Sequence, residues 1–516
     1  MNPIELSIFA SRLEAVCDEM GAVLRNAAFS PNIRDRLDFS CAVFDVDGGL
    51  CAQAAHIPVH LGSMAFAMAD LITRMDWREG DMVILNDPFL GGTHLPDVTV
   101  IAPVFVGTGD DRVELCGFVV NRAHHADIGA SSPGSMPVSR SVLEEGLVIE
   151  PLHLIRGGVL DLGRLDRIAV GTRNPADARG DFFSQISANR AGVRRLGELI
   201  ADLGTDNYRA GLAALNDYGE RLARAAIAEI PDGTYSYEDW MDDDGQGNRD
   251  IPIRVTVTVS DGAACLDFSG TAPQVEGNIN CPLAVAAAAV LYVFRCLMPP
   301  QTPACAGTFR SVTLSAPTGC LLNARYPAAV AAGNVETSTR VVDVVMGALA
   351  YALPQRIPAA SHGSMNNLAM GSTRVGASWD YYETIGGGMG AGAAGGGLSG
   401  VQTHMTNTLN TPIEVMEARY PLRVIRYALR RGSGGEGARR GGDGLVRELE
   451  FLAPAQVSLL TERRTRGPWG VCGGASGMPG RNLLNGVGLP GKTAFKVAAG
   501  DCLRIETPGG GGWGEV

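Results

Sequence analysis

Residues 86–127 read NDPFLGGTHLPDVTVIAPVFVGTGDDRVELCGFVVNRAHHAD. Two apolar runs inside them, Val98–Phe105 and Val113–Val120, flank the turn-forming stretch Gly107-Thr108-Gly109-Asp110-Asp111. The pattern predicts an antiparallel hairpin about Gly109. Pairing symmetric about that glycine sets residue 97 opposite about 121 and residue 94 near about 124. His94 and Asp97 then share one sheet edge with His124, His125 and Asp127. Three of the chain's 8 histidines fall in this stretch. Asp87 and Asp38 are possible additions to the same group.

Outward from the hairpin, Met82–Leu85 predicts a short buried strand that breaks at Asn86-Asp87-Pro88. Upstream, residues 3–28 predict a helix. Asn2 can cap it, Pro3 suits its first position, and Glu5 stands at capping-box spacing. Cys41–Asp45 predicts a strand running into a turn at 45–49. Asp38 enters that strand either as an exposed strand-end carboxylate or as a ligand or base of the site. His56 and His60 would share a face only on a helix, which Pro58 opposes; each is a substrate or metal contact or part of a polar scaffold. The loop 128–151 lies beside the site and can be a lid or carry a substrate contact, for which Glu144 or Glu145 is the candidate.

Downstream, residues 176–230 predict helices. Residues 231–270 switch to strand alternation, with Ile253, Val255, Val257 and Val259 on one face. Helices over 281–297 and 338–353 flank loops that include Gly333-Asn334-Val335-Glu336-Thr337. The acidic residues Glu336 and Asp343 read as structural. The remainder is Gly-rich, then strand-rich. The expected fold is α+β and multi-domain, with mixed and antiparallel sheets. A site domain covers 1–230, a middle domain 231–380 and a Gly-rich, strand-rich domain 381–516.

Gly accounts for 67 of 516 residues, nearly double the usual ~7%. Its runs at 386–397, 432–444 and 507–514 predict close backbone packing or a subunit contact rather than a phosphate cradle. A net charge of −12 argues against a nucleic-acid partner. The 11 cysteines include no Cys-x-x-Cys pair and read as free thiols. The start Met1-Asn2-Pro3-Ile4-Glu5 has no signal-peptide pattern. The apolar run Leu283–Phe294 is too short for a bilayer, which needs ~20 residues. A cytoplasmic protein with no membrane partner is expected. Residues 486–493, GVGLPGKT, match a P-loop pattern, but a strand rather than a helix is predicted after it, so a nucleotide site is not expected there.

Imidazoles and carboxylates converging in loops suit Zn²⁺, Mn²⁺ or Fe²⁺ and leave positions open for substrate. Metal-free acid/base chemistry and a hydrogen-bonded network between loops fit the same residues.

The motifs LDFSCAVFD (37–45), HIPVHLGSM (56–64), NDPFLGGTHLPD (86–97), RAHHADIG (122–129), EEGLVI (144–149), GNVETS (333–338), HMTNT (404–408), SGGEG (433–437) and TPGGGGWG (507–514) resemble the hydantoinase B / 5-oxoprolinase family. That family includes the B-type halves of ATP-dependent N-methylhydantoinases and related ketone-carboxylase components. The resemblance implies a catalytic subunit of a hetero-oligomer that opens a small cyclic amide such as a hydantoin, 5-oxoproline or another lactam. It implies an A-type partner that binds ATP and activates the substrate, and a divalent metal in this chain. It carries the metal ligands onto His94, Asp97 and His124 or His125, with His124 preferred. Asp38, His125 and Asp127 are then the candidates for proton transfer. A component of an ATP-dependent ketone carboxylase is the alternative.

Overall fold

The computed structural model describes residues 1–54, 57–60, 62–107, 112–374 and 378–516. His56 and the turn 108–111 therefore lie outside the described residues. The first helix spans Pro3–Ala27, and its start follows from the side chains at hand. The Asn2 Oδ1 accepts from the backbone N–H groups of Ile4 and Glu5, while the Glu5 carboxylate accepts from the Asn2 N–H. Both orphan ends of the first turn are thereby satisfied.

A seven-stranded sheet comes next in the chain. It contains β1 (Phe39–Phe44), β2 (Leu50–Gln53), β3 (Met82–Leu85), β4 (Asp97–Gly107), β5 (Val113–His124), β6 (Leu152–Arg156) and β7 (Val159–Leu160), in the order β2-β1-β5-β4-β3-β6-β7. Antiparallel pairing sets β1 and β4 on either side of β5. The helices Pro3–Ala27 and Pro175–Leu203 pack together against this sheet.

The β4–β5 hairpin forms as expected, but its register is shifted. Asp97 pairs with His124, not with residue 121. Gly107 pairs with Val113, so the strands are symmetric about residue 110 rather than 109, which moves every partner by two. A bulge between the pairs Val104–Gly117 and Phe105–Leu115 adds one more residue. The odd displacement exchanges the faces of the second strand.

β8 (Gly233–Asp243), β9 (Arg249–Ser260), β10 (Ala263–Asp267) and β11 (Val312–Ser315) build a four-stranded sheet. Its alternating apolar face packs with the helices Leu283–Leu297 and Ser338–Ala350. β12 (Asn367–Ser372), β13 (Trp379–Glu383), β14 (Leu422–Arg430), β15 (Gly444–Phe451), β16 (Ala455–Leu460), β17 (Arg481–Leu484), β18 (Val487–Leu489), β19 (Lys492–Val497) and β20 (Cys502–Glu506) form two further sheets, β13-β12-β16-β19 and β14-β15-β20-β17-β18. The chain is thus α+β with several sheets. The expected division after residue 380 falls inside β13, which pairs with β12. Residues 333–337, expected as a loop, form one π-helical turn running into the helix Ser338–Ala350. Among the described residues, no helix is long and apolar enough to cross a membrane. All 11 cysteines are free.

Buried charges join the middle and C-terminal sheets. Arg463 reaches Asp239 of β8 at 2.6 Å and Asp343 at 2.5 Å. Arg340 reaches Glu462 at 3.3 Å. Glu462 also pairs with Lys492, the lysine of the P-loop-like stretch. That stretch runs from β18 into β19 with no helix after it, and the lysine is buried. Lys492→Met leaves Glu462 with Arg340 as its one ion-pair partner among the described residues, beside the Asp242 N–H that donates to its Oε2. It is expected to lower stability by about 2 kcal/mol, the scale of a hydrogen bond to a charged group. Urea unfolding of the two proteins checks this.

The glycine runs are packed together. Segments 387–391, 397–400, 433–444, 467–477 and 507–514 run side by side outside any helix, joined by backbone hydrogen bonds. The Gly442 N–H donates to the Met389 carbonyl (2.9 Å), Gly510 to Gly442 (2.9 Å), Gly435 to Gly510 (2.8 Å) and Ala391 to Gly511 (2.9 Å). Separation is so small that a methyl group on Gly510 would stand 2.0 Å from the Met389 oxygen.

Candidate metal centre

His94, Asp97 and His124 meet at the end of the β4–β5 hairpin, at 0%, 1% and 3% exposure. The turn Asp87–Gly92 and Pro96 deliver His94 and Asp97 to the start of β4, and register delivers His124 directly across from Asp97. The His94 and His124 rings lie 5.0 Å apart, edge to face. Ligating atoms, one from each of the three residues, all lie within 4.8 Å of one another, the one such group among the described residues.

The hydrogen bonds leave one side of each residue free. Asp97 Oδ2 accepts from the Thr93 hydroxyl at 2.5 Å and lies 3.3 Å from His60 Nε2 and 3.4 Å from His94 Nε2. Its Oδ1 has no partner. His94 Nε2 is 3.1 Å from the Asn334 amide nitrogen, and His124 Nδ1 is 3.1 Å from that of Asn32. His94 Nδ1 and His124 Nε2 have no partner. Three buried, unpaired atoms of ligating type in one cluster of residues would each be costly without an occupant. Two imidazole nitrogens and a carboxylate oxygen are the donor set for a divalent transition metal. The residues therefore fit such an ion.

Electrostatics agree with this chemistry. Burial alone would raise the Asp97 carboxyl, but His94 and His60 hold it well below the usual range. Burial, together with His94, pushes His124 well down, so its ring is neutral. Burial raises Asp38, against the pull of Arg36 and with the push of Asp97. Its backbone carbonyl accepts from the His124 N–H at 3.0 Å, which brings Asp38 level with the cluster. Arg36 is 3.8 Å from its carboxylate.

The structure does not bring His125 and Asp127 into this group. Successive strand residues point to opposite faces, and His125 packs on Phe182 at 4.5 Å with Nε2 3.0 Å from Gln185 Oε1. Asp127 accepts from Ser135 Oγ, from the Gly129 N–H and from Arg173. Both line a separate cavity of about 550 Å³ with Asp380, Arg419 and Tyr420. Asp87 caps the short turn Pro88–Leu90 instead. Glu145 is buried and accepts from the Ser139 hydroxyl and the N–H groups of Val330 and Ala331. Glu144 lies near the surface.

Burial, with Asp127 as neighbour, raises Asp380 to about 7. An acid that holds its proton more tightly folded than unfolded costs stability as pH rises from about 4 towards 7, with no further loss above that. Asp380→Asn keeps an oxygen for the Gly134 N–H, which donates to Asp380 at 3.0 Å. It is expected to flatten the fall in Tm between pH 5 and pH 8; an unchanged slope would place the titration elsewhere.

Several contributors carry no local signal in the sequence. Tyr382 stacks on the His124 ring at 4.7 Å and 6°, and the Arg36 guanidinium lies 4.8 Å from the Tyr382 ring. Asn334 and Asn32 arrive from distant segments. His60 stood in the sequence as one of two options; its Nδ1 lies 2.8 Å from Ser40 Oγ and its Nε2 supports Asp97.

The family model described as hydantoinase B/oxoprolinase matches residues 2–516. A 5-oxoprolinase 1 from Arabidopsis thaliana is 41% identical over 99% of this chain, and a Dictyostelium discoideum 5-oxoprolinase is 38% identical over all of it. The chain spans only 42% and 40% of those two proteins. A Pseudomonas sp. (strain NS671) protein provisionally named as the B component of a D-/L-hydantoinase is 33% identical, with 90% of its length covered. The crystal structure of an ATP-dependent caprolactamase from Pseudomonas jessenii superposes with a TM-score of 0.92 at 29% identity, over all of this chain and 91% of that one. An acetone carboxylase shares the fold, with a TM-score of 0.88 at 18% identity. With its full-length match and these relatives, the chain belongs to the hydantoinase B/oxoprolinase family.

Proposed function

We propose that this chain is the ring-opening, B-type half of an ATP-dependent cyclic-amide hydrolase, working at a divalent metal held by His94, Asp97 and His124. The observation that carries the reading is the trio of buried, unpartnered ligand atoms on a chain whose relatives are named as 5-oxoprolinases and as a hydantoinase component. An A-type partner supplies ATP-driven activation of the substrate. The share of the 5-oxoprolinases that this chain spans supports that division of labour. A bound divalent cation polarises a carbonyl oxygen and lowers the pKa of water.

The residues around it prepare the site for that chemistry. His60 and Thr93 hold Asp97 by Oδ2, which leaves Oδ1 without a partner. Tyr382 fixes the plane of His124. Asp38, raised by burial and kept 3.8 Å from Arg36, is the group to take a proton and return it to the leaving nitrogen. His125 and Asp127 support the hairpin end from outside. The caprolactamase likeness favours hydrolysis; the carboxylase likeness extends to fold alone.

The test is turnover of 5-oxoproline, hydantoin and caprolactam by this chain with an A-type partner, scoring ATP hydrolysed per ring opened. Equal ring opening without ATP, or bicarbonate-dependent ketone consumption in place of ring opening, would overturn the reading.

A further inference from the structure

One short turn of the middle region reaches both imidazoles of the cluster. The π-helical turn Gly333–Thr337 brings the Asn334 amide nitrogen within 3.1 Å of His94 Nε2. Two residues on, Glu336 connects to His124 through two further side chains. π-helical turns of this kind are frequent at functional sites.

Every link is a direct contact. The Tyr382 ring is stacked on that of His124, 4.7 Å away and 6° from parallel. Its hydroxyl donates to Asn367 Oδ1 at 2.6 Å. Asn367 Nδ2 donates to Glu336 Oε1 at 2.7 Å and to the Leu460 carbonyl at 3.0 Å. Glu336 Oε1 also accepts from the Met365 N–H at 3.0 Å. All four side chains, from His124 to Glu336, are buried.

The far end of this chain fixes its direction. The oxygen and nitrogen of an amide exchange by a half-turn, and the neighbours decide between them. The Leu460 carbonyl can only accept, so Asn367 Nδ2 faces it and Oδ1 faces Tyr382. The Met365 N–H can only donate, so Glu336 Oε1 is an acceptor. Burial, with Glu462 as neighbour, raises Glu336 to about 8, against Ser364, Lys492 and Arg464. Glu336 is therefore an acid at neutral pH, with its proton on Oε2.

A stacked ring restrains its neighbour only as well as it is itself restrained. At the backbone of Tyr382, Arg36 NH1 donates to the carbonyl at 3.1 Å, and the guanidinium lies 4.8 Å from the ring. The hydroxyl is at the other end of the side chain, and among the described residues Asn367 is its one hydrogen-bond partner.

We propose, on the metal reading above, that Asn367 and Glu336 are positioning residues of the metal centre: they hold the Tyr382 hydroxyl, and through it the ring against which His124 is set.

The experiment uses the full chain, with Zn²⁺ affinity measured by chelator competition and the absorption spectrum of the Co²⁺-loaded protein as the signature of ligand geometry. Tyr382→Phe keeps the stacked ring and removes its anchor. It is expected to weaken Zn²⁺ binding about tenfold, the lower figure for losing a residue that supports a ligand, and to change the Co²⁺ spectrum. Glu336→Leu is expected to do the same. Glu336→Gln keeps an oxygen for Asn367 and Met365 and is expected to keep both affinity and spectrum. Acting through one hydroxyl, Tyr382→Phe and Glu336→Leu together should weaken binding no more than Tyr382→Phe alone, whereas a general loss of structure would add. Should Glu336→Leu not fold, Asn367→Ala takes its place in the same cycle. Equal Zn²⁺ affinity in Tyr382→Phe, or effects that add in the double variant, overturns this inference while the metal reading stands. Failure of the wild-type chain to bind Zn²⁺ in a His94-dependent way overturns both.

Discussion

His94→Ala is expected to release the divalent ion from this chain and to abolish ring opening, while His125→Ala keeps the ion. The first change removes one imidazole and leaves two of the three grouped residues, Asp97 and His124. Loss of a residue that merely supports a ligand typically weakens metal binding 10- to 100-fold. Loss of a ligand should exceed that, so an affinity drop of roughly 10²-fold or more is expected. Turnover with an A-type partner should fall on the order of 10³-fold, the scale on which one electrostatic stabiliser of a transition state acts. The fold should survive, because Thr93 and His60 continue to hold Asp97. His125→Ala instead loses a contact with Phe182 and a bond to Gln185, which affects stability rather than metal. Chelator competition and metal analysis on both variants separate the adjacent histidines. Metal loss from His125→Ala equal to that from His94→Ala, or full activity in metal-free wild type, would refute the assignment.

The second large effect concerns Gly510→Ala. Its methyl carbon would lie 2.0 Å from the Met389 carbonyl oxygen and 2.3 Å from the carbon that bears it. Both are backbone atoms, and Met389 is tied on either side, donating to Leu398 and accepting from Gly442. No rotamer change relieves such a clash. Overpacking a well-filled interior costs about 1–3 kcal/mol, and this case belongs at or above the upper figure. Thermal unfolding should show a much lower Tm, and expression should yield less soluble protein. Gly488→Ala is the control, because nothing lies within 4 Å of its added methyl. Equal stability of the two variants would show that the glycine segments are not packed as described.

Local rules made much of this legible. The capping box at Asn2 and Glu5, the alternation of Ile253 to Val259 and the two strands around residue 109 each depend on neighbours a few positions apart. The convergence of His94, Asp97 and His124 also came from one hairpin. Its register did not, because a bulge near Cys116 and a two-residue offset in the strand pairing leave no mark in an apolar pattern. That three-residue displacement decides which of His124 and His125 faces Asp97. Asn334 and Tyr382 were beyond reach for another reason. Their roles arise when segments more than two hundred positions from the hairpin fold against it, and neither residue type announces such a role. The glycine runs promised close packing, but nothing in them named the partner of each segment.

The packing of those glycine segments also sets an order of events during synthesis. Residues 509–512 touch segments beginning near 388, 433 and 470, so the last of these pieces to be made lies among all the others. At ribosomal speeds of about 5–20 residues per second, the earlier pieces wait on the order of ten seconds for it. During that interval the groups that bond to it, such as the Gly435 and Ala391 N–H, have only water as partner. This region therefore closes late, after the seven-stranded sheet with its histidines has had time to form, and translation through residues 507–514 becomes the step that closes it.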